Sequence, residues 1–192
     1  MTLARKLAIR PEVLAAAAAG VVLLDQWTKY LVVSRMPVGA RHELIRDILF
    51  LVHVVNKGAA WGMMHGRMNV LALISIAVFV LLVVYFRRFT ERVGERELAL
   101  ALLLGGIGGN LIDRLNLIPR PSGMVGVVDF ISVQYLPRQW EYPSFNVADS
   151  AICVGVATYC LSCWLRRLPE PAAAKPAAKR DWRQVLRDWL LP

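Results

Sequence analysis

Between Val70 and Phe86 the chain carries no charged residue, and three comparable apolar runs accompany this one: about Val13–Val33, Leu98–Leu117 and Asn146–Leu165. Each is close to the roughly 20 helical residues needed to cross about 30 Å of hydrocarbon. Four such runs in 192 residues restrict the chain to an α-helical polytopic membrane protein with four transmembrane helices. The composition agrees, since 57% hydrophobic residues is more than a soluble domain of this length carries. The net charge of +9 would suggest nucleic acid in a soluble protein. Here the cations flank the apolar runs, which is the pattern of membrane orientation, so no nucleic-acid partner is expected.

The basic residues fix a topology. Arg5, Lys6 and Arg10 precede the first run; Arg87, Arg88, Arg92 and Arg96 fill the short link between the second and third; seven more lie from Arg166 to Arg187. The other side holds Arg35, Arg41, Arg46, Lys57 and Arg67, then Arg114, Arg120 and Arg138, spread over longer loops. Both termini are therefore expected in the cytoplasm. Met1–Gly20 imitates a secretory signal, but its apolar run continues to Val33, longer than a signal core, and no cysteine follows the alanines. It reads as a retained span, and the chain is not itself a lipoprotein precursor.

The outer loops, about 34–69 and 118–145, carry structure of their own. Leu44–Val55 reads as a strand, as does Gly126–Val133, which sets Val127, Asp129, Ile131 and Val133 on one face. A small extracytoplasmic β structure on the membrane surface accounts for both. Tyr135, Trp140 and Tyr142 suit the interfacial belt, and Gly58 and Gly62 make the first loop a candidate cover. The membrane-spanning body ends near residue 168. Residues 169–180 form a Pro/Ala/Lys linker, and 181–192 space Trp182, Val185, Leu186, Trp189 and Leu190 as a cytoplasmic amphipathic helix or, equally, a frayed tail.

Charged groups in hydrocarbon need a reason. With this topology Asp25 and Lys29, then Asn110, Asp113 and Arg114, then Asn146 and Asp149 all fall in the outer half of the membrane, beside Asn56 and Asp129 of the loops. The second run contributes no polar cluster, and every cluster meets at one depth. Each has a structural reading beside a functional one. Asp25 and Lys29 have the i, i+4 spacing of an ion pair. Asn110, Asp113 and Arg114 share a helix face after GGIGG (105–109), where glycines permit close helix approach. Asn146 and Asp149 have the spacing of a helix cap. Asp129 has no local partner on its apolar face, and Asp149 is the candidate. Two carboxylates held close share one proton, so one can take a proton from water while the other donates to a carbonyl. Histidines 42, 53 and 65 are irregularly spaced, and Cys153, Cys160 and Cys163 read as packing residues, so no metal is expected. HExxH, GxSxG and P-loop motifs are absent.

The segments DQWTKYLV (25–32), NKGAAWGMM (56–64), GGIGGNLIDRL (105–115), VVDF (127–130) and FNVADSAI (145–152) resemble, in order, the motif blocks of lipoprotein signal peptidase, also called signal peptidase II. The resemblance covers about residues 12 to 166. It implies a catalytic dyad of Asp129 and Asp149, supported by Asp25, Lys29, Asn56, Gly58, Asn110, Asp113, Arg114, Asn146 and Ala148. It implies four transmembrane helices with an extracytoplasmic β-cradle, an inner-membrane location, no cofactor and inhibition by globomycin. The implied substrates are diacylglyceryl-modified prolipoproteins, cut just before the lipidated cysteine; membrane lipids are the other partners, and a monomer is expected. Two rival readings differ in what they ask of the sequence. A small ion or proton transporter using Asp25, Asp113 and Asp149 requires polar groups through the whole membrane depth. A non-catalytic assembly protein requires that Asp129→Asn be mild.

Overall fold

The computed structural model describes residues 9–58, 66–120, 125–135 and 140–166. The expected linker and amphipathic helix of the tail, and Gly62 of the first loop, lie outside these. Four long helices carry the fold: α1 (Pro11–Arg35), α2 (Met68–Val84), α4 (Gly94–Arg114) and α5 (Val147–Arg166). A five-residue helix that the sequence did not announce, α3 (Phe86–Thr90), follows α2 after the single residue Tyr85. Four strands, β1 (Arg41–Ile45), β2 (Leu49–Asn56), β3 (Val127–Tyr135) and β4 (Trp140–Glu141), form one antiparallel sheet in that order.

α1 starts with Pro11 in its first turn, where a missing N–H costs nothing, and places Glu12 in the first turn and Arg35 in the last, complementing the helix dipole. α4 begins four residues before the apolar run proper, so it takes in Glu95, Arg96 and Glu97. By length and composition, among the described residues, α5 is the helix long and apolar enough to cross a membrane, over Val147–Leu165 at mean hydropathy 1.4. α2 is also apolar but has 17 residues. α1 and α4 are longer and carry charges. Large apolar side chains such as Leu23, Trp27, Leu73, Val84 and Val154 are exposed on the helices, while Asp25, Lys29, Asn110, Asp113 and Asn146 are buried. That inversion of the usual soluble pattern suits a hydrocarbon surround.

Side-chain bonds give the helix directions. Ile9 meets Glu97 at one end and Gln26 meets Gly109 further on, so α1 and α4 run parallel. Arg96 meets Ser162 while Asn110 meets Asp149, so α5 runs against them. Arg114 meets Ser75 midway along α2, and a Cβ on Gly108, further back on α4, would lie 4.0 Å from Phe79, further on in α2, so α2 runs against α4 as well. Glycines set how close these axes come. A Cβ on Gly105 would lie 2.7 Å from the Ala18 carbonyl oxygen of α1, and one on Gly106 would lie 2.5 Å from the Ala148 carbonyl oxygen of α5. α4 is thus clamped between its neighbours at a spacing only glycine allows.

The sheet closes one end of this bundle. The expected single strand over 44–55 is instead a hairpin. Arg41 pairs with Val52 and Ile45 with Leu49, and Asp47 turns the chain in the left-handed region (φ 59°) with its N–H held by Glu43 Oε1 at 2.6 Å. An apolar run cannot show this break, because the turn residues Arg46 and Asp47 are its only signal. β2 pairs with β3, aligning Val54 with Asp129 and Asn56 with Val127. β3 is tied to the start of α5, since Phe145 exchanges backbone hydrogen bonds with Ile131. The sheet rests on α1 through Val32, Met36, Val128 and Phe130. Buried His53 adds a bond of 2.8 Å from Nδ1 to the Met36 carbonyl, which makes Nδ1 the protonated ring nitrogen.

Candidate active site

Residue for residue, the candidates converge. α1 delivers Asp25 and Lys29, one turn apart and fully buried, with Lys29 Nζ 2.7 Å from Asp25 Oδ2. The i, i+4 pair exists, but it does not stop there. Lys29 Nζ also donates to Asn110 Oδ1 at 3.0 Å and lies 2.7 Å from Asp113 Oδ2. The last contact is coulombic, because Asp113 Oδ2 receives no directed hydrogen bond. Asp25 Oδ1 accepts the Ala148 backbone N–H at 3.0 Å. A carboxylate of α1 therefore caps the first turn of α5, where free N–H groups and the dipole favour negative charge. Ala148 takes part through its backbone, and its side chain is small enough for Gly109 to pack alongside.

Asn146 and Asp149 form a reciprocal cap. The Asp149 N–H donates to Asn146 Oδ1 at 3.0 Å, and the Asn146 N–H donates to Asp149 Oδ2 at 3.2 Å. Capping is only half of their work. Asn110 Nδ2 donates to Asp149 Oδ1 at 2.7 Å, and Asn146 Nδ2 donates to Asp129 Oδ1 at 2.8 Å and to Asn110 Oδ1 at 3.1 Å. The far oxygen of Asp129 accepts Asn56 Nδ2 at 2.9 Å, and Asn56 Oδ1 in turn holds the Gly58 N–H at 2.9 Å. So the partner that Asp129 lacked on its own strand comes from β2 and from the start of α5. Asp129 and Asp149 line one cavity of about 190 Å³, together with Asn56, Gly58, Asn110 and Arg114.

Electrostatics distinguish the members. Asp129 lies on β3, 2% exposed, and burial pushes its carboxyl from 3.8 to about 7. The Asn56 hydrogen bond works against that rise, the neighbouring Asp149 charge adds to it, and Lys29 and Asn146 oppose it. Arg114 shares a helix with Asn110 and Asp113 and also lines the cavity. Its Nη1 donates to Ser75 Oγ at 3.3 Å, and its charge acts on Asp149, Asp129 and Asp113. The second run, expected to contribute no polar cluster, contributes this one hydroxyl. A lone hydroxyl in an otherwise apolar helix was the available signal. Gln26, next to Asp25, was also passed over; its Nε2 donates to Asp25 Oδ2 at 3.1 Å and to the Gly109 carbonyl at 3.0 Å.

The expectation that every buried charge gathers at one end needs correction. Arg96, counted among the cations of the short link, and Glu97 are buried at the opposite end. Arg96 Nη1 pairs with Glu91 at 2.7 Å, its Nε reaches Ser162 at 3.4 Å, and Glu97 Oε2 accepts the Ile9 N–H at 2.7 Å. They escaped notice because a charged first turn of a helix looks like loop in a hydropathy profile.

This helical bundle with its small antiparallel sheet is similar in fold to a solved bacterial membrane enzyme. That structure matches with a TM-score of 0.71 and 30% identity, over 87% of this chain and 96% of the other. A second bacterial membrane enzyme structure matches with a TM-score of 0.68 at 31% identity, over 83% and 96%. The family model described as signal peptidase (SPase) II matches residues 17–165. The lipoprotein signal peptidase of Anoxybacillus flavithermus is 40% identical over 144 residues, 75% of this chain and 80% of that protein. Its counterpart in Bacillus subtilis is 41% identical over 138 residues, 71% and 82%. The chain belongs to the signal peptidase II family.

Proposed function

We propose that this protein is an aspartic endopeptidase of the bacterial inner membrane that removes the signal peptide from diacylglyceryl-modified prolipoproteins, cutting just before the lipidated cysteine. In this reading α1, α2, α4 and α5 all span the bilayer, both termini face the cytoplasm, and the sheet lies on the outer surface. The observation that carries it is the shared cavity of Asp129 and Asp149, joined through the carboxamides of Asn146 and Asn110.

The chemistry follows from the surroundings of the pair. Asp149 sits in the first turn of α5 and its carboxylate accepts two N–H groups, from Asn110 Nδ2 and the Asn146 backbone, an environment suited to negative charge. Asp129, held near 7, keeps a proton at neutral pH for a good part of the time. Asp149 then takes a proton from water as that water attacks the scissile carbonyl, and Asp129 gives its proton to the carbonyl oxygen. The tetrahedral intermediate collapses with proton return to the leaving nitrogen. Arg114 faces the same cavity and stabilises negative charge as it develops. Acyl chains in the outer leaflet hold the precursor beside the pair, so little entropy is lost in reaching attack geometry.

The test uses purified protein and a diacylated precursor peptide. Asp129→Asn and Asp149→Asn are each expected to abolish conversion while the protein stays folded. A folded variant that cleaves at the wild-type rate removes that residue from the dyad, and full cleavage by both overturns the reading.

A further inference from the structure

Arg120 lies in the segment after α4, outside the five family-like blocks, and sequence gave no reason to single it out. α4 ends in a Schellman motif. Asn116 occupies the left-handed region (φ 51°), its N–H donates to the Asp113 carbonyl at 3.1 Å, and the Leu117 N–H donates to the Ile112 carbonyl at 3.0 Å. This reverses the chain, and Arg120 folds back onto the helix it has just left. Its Nη2 forms an ion pair with Asp113 Oδ1 and lies 3.5 Å from Gln26 Oε1. The Arg120 side chain is 7% exposed and that of Asp113 1%.

Asp113 Oδ2 faces Lys29, Lys29 holds Asn110 Oδ1, and Asn110 Nδ2 holds Asp149. The amide orientation of Asn110 depends on this chain, because two donors, Lys29 Nζ and Asn146 Nδ2, occupy its oxygen. Charge is balanced along the same path. Asp25 and Asp113 are offset by Lys29 and Arg120. Without Arg120 the two carboxylates would compete for Lys29 alone, in surroundings where an uncompensated charge is costly.

We infer that Arg120 is a positioning residue for the reaction: its guanidinium neutralises Asp113, so that Lys29 stays on Asn110 and Asn110 keeps its NH₂ group on Asp149. The loop after α4 is then part of the machinery of this chain rather than a connector. This rests on the peptidase reading above.

The experiment is a charge-rescue series on full-length protein in phospholipid nanodiscs, with the diacylated precursor as substrate: wild type, Arg120→Gln, Arg120→Lys, Asp113→Asn and the double variant Asp113→Asn/Arg120→Gln. Arg120→Gln is expected to lower kcat by about tenfold or more with KM within about twofold, since misorientation of a catalytic group acts on kcat. Arg120→Lys should retain more activity than Arg120→Gln. Asp113→Asn leaves one surplus cation and Arg120→Gln one surplus anion, so the double variant should exceed Arg120→Gln in kcat several-fold. Wild-type kcat in Arg120→Gln, or a double variant equal to the product of the singles, overturns the inference. Thermal midpoints follow the same pattern of rescue, so a variant that folds poorly still reports on it. If wild-type protein leaves the precursor intact, the peptidase reading fails, and rescue of the midpoint alone then decides the charge balance.

Discussion

The two ends of the bundle both bury charge, and they do so differently. Opposite the sheet, Arg96 and Glu97 are each matched locally: Arg96 with Glu91, Ser162 and the face of Tyr159, Glu97 with the first described N–H of the chain. Beneath the sheet, Asp25 and Asp113 share Lys29, Asn146 serves both Asp129 and Asp149, and Asn110 links Lys29 to Asp149. A cavity opens among the second set. Buried charge alone therefore does not mark a site. What marks it is carboxylates held together by donors that neither possesses alone.

Substitutions should separate the two ends. The largest effect is expected for Asn146→Ala, which removes a donor from Asp129, a contact to Asn110 and the cap of α5; kcat should fall by about a hundredfold or more, measured on diacylated precursor. Arg96→Met, at the other end, should lower the thermal midpoint only modestly, because its partner Glu91 is half-exposed and stays solvated without it, yet leave kcat of the folded fraction unchanged. A large loss of kcat there would erase the contrast. Gly106→Ala comes next. Its new methyl would press on the Ala148 carbonyl of α5, and the expected outcome is a lower thermal midpoint together with a several-fold loss of activity.

The smallest effects are in pH. In the proposed mechanism Asp129 must carry a proton, so kcat should decline as pH rises past about 7. Asn56→Ala deletes a hydrogen bond that lowers this value, and the decline should move to higher pH. The same group carries a stability signature. Because the folded chain holds the proton more tightly than the unfolded one, stability should fall between about pH 4 and pH 7 and level off above. Asp129→Asn should flatten that slope; chemical denaturation across this range measures it.

Much of this was legible because hydrocarbon makes polar residues conspicuous. Asp25, Lys29, Asn110, Asp113 and Asp149 stand out in apolar runs, and Asp129 stands out on an apolar strand face. The spacing of Asn146 and Asp149 gave the cap directly. The rest depended on contacts between distant segments. No local pattern says that Asn146 bridges to Asp129, or that Asp25 caps a helix 123 residues later. Arg120 is invisible for the same reason, since a basic residue in an outer loop has the composition of an unattached one. The hairpin between β1 and β2 was missed because its turn is made by a charged dipeptide without glycine or proline.

The glycines of α4 set a limit on how this protein can vary. With no room for even a methyl group at Gly105 and Gly106, the seam that holds α4 against α1 and α5 has no slack to widen or narrow. Tolerance for precursors of different sequence has to be exercised by the roof, where strands and loops meet the chain from above. Variants that admit bulkier peptides, or that shut out an inhibitor, should accordingly accumulate in the sheet and its connections and leave the helix seam untouched.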